Sequence, residues 1–196
     1  MSLHGNFDHM GEAVNLVNNF KVEKVIFNND DFNDDFNELE TELIKVLNEK
    51  GISYYKDLDD ISVYNTKLYF LTTKIYDNEN DNSNVLYTEI KGYKFMFMGD
   101  AGIIKEKDIL SKYNINDIDI LKVGHHGSKT SSSIDFIDSI NPKYSIISVG
   151  KKNRYGHPNE EVLDNLSNSK IYRTDIDGSV IIKIRNNKLD IKTCVP

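Results

Sequence analysis

The residues best suited to chemistry fall in four short groups: His4, Asp8 and His9; Asp100; His125 and His126; and His157. Imidazole and carboxylate without cysteine make a donor set suited to zinc, manganese or iron, and a carboxylate between two ions can bridge them. Each group also has a plain structural reading. Adjacent histidines serve in polar turns. Asp100, in Gly99-Asp100-Ala101-Gly102, has the setting of a turn former, and the first residues of a chain are often unanchored. The metal reading therefore depends on whether folding brings the four groups to one place.

The elements around them are arranged to do so. An apolar run from Ile118 to Val123 predicts a strand. It gives way at Gly124 to His125-His126-Gly127-Ser128-Lys129-Thr130 and then to a helical pattern at Ile134, Ile137 and Ile140. A loop between a strand's carboxyl end and a helix's amino end collects free backbone N–H groups and the positive end of the helix dipole, which suits anions and metals. Val85 to Ile90 and Tyr93 to Met98, joined by Lys91-Gly92, predict a hairpin that ends at Asp100. Tyr144 to Val149 predicts another strand. It runs into Lys151-Lys152-Asn153-Arg154-Tyr155-Gly156-His157-Pro158, with Asn159 or the Pro158 turn opening a helix through Leu166. His4, Asp8 and His9 precede a short helical pattern from Glu12 to Asn18, so every group lies just after a strand or just before a helix.

The other segments read as scaffold. Val22 to Phe27 predicts a strand and Asn33 to Lys50 an amphipathic helix, with Leu39, Leu43, Val46 and Leu47 on one face and Gly51 as its stop. Strands follow at Ile52 to Tyr55 and Lys67 to Ile75, a helix at Glu106 to Tyr113, and strands at Lys170 to Arg173, Ser179 to Arg185 and Leu189 to Thr193. The carboxylates Asp30, Asp31, Asp34, Asp35, Glu38, Glu40 and Glu42 predict a solvated helix face. Strands mixed with helices, hairpins included, indicate an α/β sandwich rather than a wholly parallel doubly wound sheet.

Several functions are excluded by spacing or composition. The phosphate-loop pattern needs glycine directly before the lysine, which Gly127-Ser128-Lys129 lacks. No Gly-x-Ser-x-Gly elbow is present, so Ser128 and Ser131 to Ser133 are expected as helix-capping hydroxyls. The single cysteine, Cys194, sits at the end of the chain and offers neither a disulfide framework nor a placed nucleophile. The net charge of -7 argues against coating of nucleic acid by overall charge, although Lys151, Lys152 and Arg154 gather near His157. No apolar run approaches the roughly 20 residues of a membrane span. The expectation is one domain over residues 1–196, soluble and cytoplasmic, or attached to the cell membrane through a longer parent.

The ordered series Phe97-Met98-Gly99-Asp100, Leu121-Lys122-Val123-Gly124-His125-His126-Gly127-Ser128-Lys129-Thr130-Ser131 and Arg154-Tyr155-Gly156-His157-Pro158 resembles the metallo-β-lactamase-fold domain of ComEC-type competence DNA-uptake proteins. Asn80 to Leu86, Tyr172-Arg173-Thr174-Asp175 and Asp177-Gly178 match further parts of that family's pattern. The resemblance implies a metallo-β-lactamase-like αββα sandwich that binds one or two divalent ions, zinc or manganese, and hydrolyses its substrate with metal-activated water. By the same carry-over His4, Asp8 and His9 open the metal motif, Asp100 is the bridging carboxylate, and His125 and His126 supply a further ligand, with His126 preferred as the direct one. Asp8 and His157 are the catalytic candidates. Ser128, Lys129, Lys152, Arg154 and His157 are the substrate contacts.

DNA or another phosphodiester is the implied substrate, and an upstream membrane channel in a parent protein the implied partner. Two departures matter. Asn6 stands where the family pattern carries His or Asp, and the chain begins inside that motif. The sandwich is therefore expected to lack its N-terminal strands, leaving edges open to homodimer pairing or strand exchange. The competing expectation is a noncatalytic DNA-guiding or assembly module with a decayed metal site.

Overall fold

The computed structural model describes residues 11–27, 34–56 and 58–195. His4, Asn6, Asp8 and His9 lie outside the described residues. Helix α1 (Ala13–Asn19) leads to strand β1 (Lys24–Ile26), helix α2 (Asp34–Lys50) and strand β2 (Ser53–Tyr55), which pairs in parallel with β1. Leucines repeating at four-residue steps turn one face of α2 inward: Leu43 and Leu47 are buried with Val17 of α1 and Phe27. Gly51 follows α2 with φ +65, the left-handed stop that its position predicts. The expected solvated acidic face needs one correction. Glu38 and Glu42 are exposed, but Glu40 is buried and paired with Lys56 at 2.6 Å.

Seven strands form the main sheet, in the order β3 (Asp60–Val63), β4 (Thr66–Phe70), β5 (Leu86–Ile90), β6 (Tyr93–Phe97), β7 (Ile120–Lys122), β8 (Tyr144–Ile147) and β9 (Lys170–Arg173). The first four are antiparallel and the last four run parallel from β6 onward. Helices α3 (Ile103–Lys112), α4 (Ile134–Ile140) and α5 (Glu160–Asn165) connect the parallel strands. Successive residues of β7, Ile120 and Leu121, are both buried, as a strand covered on both faces requires. The core gathers Met96, Leu121 and Ile147 from the sheet with Ile109, Phe136, Ile140 and Val162 from the helices. Each fully buried side chain of this size contributes roughly 1.5–3 kcal/mol.

The strand expected over Lys67 to Ile75 stops at Phe70, where its ladder with β5 ends at Leu86. Beyond Leu71 the chain leaves the sheet for α3, and Thr72 O accepts from Lys112 Nζ and Tyr113 Oη. A short helix α6 (Thr174–Asp177) precedes the antiparallel hairpin of β10 (Ser179–Arg185) and β11 (Lys188–Cys194). Among the described residues, sheet structure outside the seven strands is confined to this hairpin and the β1–β2 pair. Among the described residues, no helix is long and apolar enough to cross a membrane.

Candidate metal and substrate site

Asp100, His125, His126 and His157 come together at the carboxyl ends of β6, β7 and β8. Asp100 follows β6 and is buried, its backbone N–H donating to Ser83 Oγ at 3.0 Å. His125 Nε2 stands 4.0 Å from Asp100 Oδ2. The rings of His125 and His126 are 6.4 Å apart, and those of His125 and His157 are 5.9 Å apart. Three sequence groups separated by strands and helices thus share one rim. The fourth, His4, Asp8 and His9, lies outside the described residues.

The histidine pair sits on an unusual backbone. His125 (φ 44, ψ 45) and His126 (φ 55, ψ 19) are both left-handed, and Gly127 follows at φ +81. Left-handed backbone at residues with a Cβ costs of order 1–3 kcal/mol each, so the surroundings must fix it. His125 N–H donates to Gly99 O at 3.0 Å, Ser128 N–H to His125 O at 2.8 Å, and Asn159 N–H to Gly127 O at 2.8 Å. Ser131 Oγ reaches Gly124 O and Ser128 O, both at 3.0 Å. A Cβ on Gly127 would lie 2.6 Å from Pro158 Cβ, so only glycine lets this loop close on the His157-Pro158 turn.

These bonds also fix side-chain chemistry. His126 Nδ1 lies 2.7 Å from the carbonyl oxygen of Ser148. A carbonyl only accepts, so Nδ1 carries a proton, and Nε2 is the nitrogen left to ligate a metal from a ring oriented by a backbone oxygen. His157 is held below the ordinary imidazole range, chiefly by burial and then by His125 and His126, with Asp100 opposing. It therefore favours the neutral form. Lys122 is held below the usual lysine range by burial, against the pull of Asp100, and donates to Val123 O at 3.0 Å.

Asn153 positions His157. Its Oδ1 accepts from His157 N–H at 2.8 Å, and its Nδ2 donates to Gly150 O at 3.0 Å and His157 O at 2.8 Å. Lys129, Lys152 and Arg154, candidate substrate contacts from the sequence, are exposed. Ser128, grouped with them from sequence, is buried, and its hydroxyl lies 3.0 Å from Thr130 Oγ1. The serine-capping expectation also changes. Ser133 precedes α4 but makes no side-chain cap. Instead the buried Glu106 carboxylate accepts from the N–H groups of Ser132 and Ser133 and from Ser133 Oγ.

Residues that sequence reasoning missed lie one layer behind the rim. Asp81 accepts Gly102 N–H at 2.7 Å through Oδ1 and Asn78 Nδ2 at 2.7 Å through Oδ2, anchoring the turn that carries Asp100. Lys105 Nζ donates to Ser83 O at 2.7 Å, fixing the segment that holds the Asp100 backbone. The Asn78-x-x-Asp81 spacing was the available signal, since Asn and Asp at such steps build local turns. Asn159, by contrast, caps α5 as expected, accepting from Glu161 N–H.

Among the described residues no three His, Cys, Asp or Glu side chains form a group that could hold a metal ion. A buried carboxylate, an imidazole 4.0 Å from it and a second imidazole held by a backbone carbonyl are nonetheless donor types that suit a divalent ion.

The family pattern of the Metallo-beta-lactamase superfamily matches residues 4–151. The chain is 31% identical over 189 residues to ComE operon protein 3 of Bacillus subtilis, covering 93% of this chain and 24% of that protein. It is 35% identical over 106 residues to competence protein ComA of Neisseria gonorrhoeae, covering 53% of this chain and 15% of that protein. With recombination protein 2 of Haemophilus influenzae it shares 31% identity over 116 residues, covering 58% of this chain and 14% of that protein. The chain thus spans about a quarter or less of the length of these relatives. Its matched segment carries Asp100, His125 and His126, and on that match the chain belongs to the metallo-β-lactamase superfamily.

Proposed function

We propose that this chain is a metal-dependent phosphodiesterase acting on DNA. The observation that carries the reading is the meeting of Asp100, His125, His126 and a neutral-leaning His157 on one rim, flanked by exposed Lys129, Lys152 and Arg154. Similarity to competence proteins points the substrate class toward DNA. His4, Asp8, His9, Asp100, His125 and His126 would hold one or two divalent ions, zinc or manganese. Such an ion, when bound, brings the pKa of water toward neutrality and neutralises a developing oxyanion.

The chain's own residues supply the rest. The cationic side chains of Lys129, Lys152 and Arg154 receive the phosphate charge. Asp8 and His157 are the catalytic pair. His157 Nδ1 or Nε2, neutral and fixed by Asn153, can take a proton from the attacking water or return one to the leaving oxygen. Within a longer parent the domain would work beside a membrane channel, and β3 and β9, the edge strands of the main sheet among the described residues, offer a route to homodimer pairing.

The deciding experiment measures metal content by elemental analysis, then turnover of bis-p-nitrophenyl phosphate and labelled single-stranded DNA. The expected result is bound metal that disappears in Asp100→Ala, with turnover of both substrates. Bound metal with turnover of neither overturns the phosphodiesterase reading. An empty site in both proteins leaves a DNA-guiding module with a decayed site.

A further inference from the structure

We propose that Tyr155, with Arg154, is a stacking platform that grips an unpaired base next to the phosphate being cleaved, so that the site selects single-stranded DNA. The inference rests on the phosphodiesterase reading and adds the element that recognises the strand. Tyr155 is 67% exposed, so its ring is accessible to a ligand. Its ring lies nearly parallel to the His157 ring, 19° between planes and 5.8 Å between centroids. The Arg154 guanidinium carbon stands 4.9 Å from the centre of the Tyr155 ring, and Nη2 donates to Tyr155 Oη at 2.7 Å.

The arrangement joins a cation to an aromatic surface two residues before the imidazole proposed to transfer the proton. Unpaired strands are held by this chemistry: the guanidinium meets phosphate, and ring or guanidinium planes stack on a base. The platform is also set before substrate arrives. Asn153 ties the loop to Gly150 O and to both backbone groups of His157, and Gly156 supplies the left-handed step (φ +70) between Tyr155 and His157. A preset platform loses little freedom on binding. In duplex DNA the bases are stacked on one another and not presented to such a surface.

The test compares an oligothymidylate with an abasic oligomer of equal length, both with phosphorothioate linkages that resist turnover, by fluorescence anisotropy on the metal-loaded protein. Wild type is expected to bind oligothymidylate about tenfold more tightly than the abasic strand, the scale of one base–aromatic stack. Tyr155→Ala should erase that preference. The chain contains no tryptophan, so Tyr155→Trp introduces a single reporter whose emission should be quenched by oligothymidylate and not by the abasic strand. Equal binding of the two strands by wild type, or an unquenched Tyr155→Trp, overturns the platform. Wild-type turnover of bis-p-nitrophenyl phosphate tests the underlying reading separately. Turnover without base preference sinks the platform alone, and base preference without turnover sinks only the phosphodiesterase.

Discussion

The two apolar clusters of this chain do different work. The larger joins sixteen buried residues of the main sheet and its helices; the smaller joins Val17, Phe27, Leu43 and Leu47 around α1 and α2. Left-handed non-glycine residues at His125, His126 and Ser132 stand on the larger one, beside the site. In the smaller region the left-handed residue after α2 is Gly51, which adopts that backbone without a Cβ penalty. At His125 and His126 such backbone is held by the packed core and by several hydrogen bonds. The same backbone at Tyr64 and Lys91 lies in exposed turns between strands, so the core accounts for it only beside the site.

Removing core from each side sharpens the contrast most. Leu121→Ala, at a position with 0% exposure, should cost about 2–5 kcal/mol in urea denaturation. It should also speed amide exchange throughout residues 120–128. Leu47→Ala, equally buried, should speed exchange in α1 and α2 while leaving 120–128 protected. Equal loosening of the site by both variants would show the clusters to be one cooperative unit.

The glycines give the next contrast. Gly127→Ala combines a positive φ with a Cβ 2.6 Å from Pro158 and should lose about 3 kcal/mol. Gly51→Ala meets nothing within 4 Å and should lose only the left-handed penalty, about 1 kcal/mol. Matching losses in thermal or urea unfolding would remove the close approach as the reason for glycine at 127.

A smaller effect concerns pH. Burial holds Glu106 above the ordinary glutamate range, against the hydrogen bonds from Ser133 and Ser132. The folded state therefore holds the proton more tightly than the unfolded chain. The stability that this proton contributes is complete below the ordinary glutamate range and is lost as pH rises through the raised value. Glu106→Gln should match wild type in acid and gain on it as pH rises through that window, read as urea midpoints. A constant difference would exclude Glu106 as the source. Smallest of all, Lys192→Ala breaks an exposed 3.6 Å pair with Asp190 on the β10–β11 hairpin and should leave the midpoint unchanged.

Much of the site was legible because its parts are local. Asp100 after a hairpin, a histidine pair after an apolar strand, and His157 before a capped helix each follow from spacing within a few residues. What stayed hidden is long range. Lys105 and Glu106 look like an exposed charged pair on a helix, since such residues are seldom buried. They are buried because one meets Ser83 and the other the start of α4. Strand β3 also escaped sequence reasoning: Asp60-Ile61-Ser62-Val63 is short and half polar, and it becomes a strand by pairing with β4. The Ile75 end of β4 was overread for the opposite reason, β-prone composition without a partner strand.

Neighbouring residues of an extended strand point to opposite sides of a sheet, so a strand offers each side only every second residue. The left-handed turn at His125 and His126 removes that restriction. Two consecutive imidazoles, their planes inclined by 65°, open like a fork: one tine stands 4.0 Å from the Asp100 carboxylate and the other is braced on Ser148. Two jobs are thereby compressed into two adjacent codons. Inserting or deleting a single residue between Gly124 and Gly127 would disable both tines together.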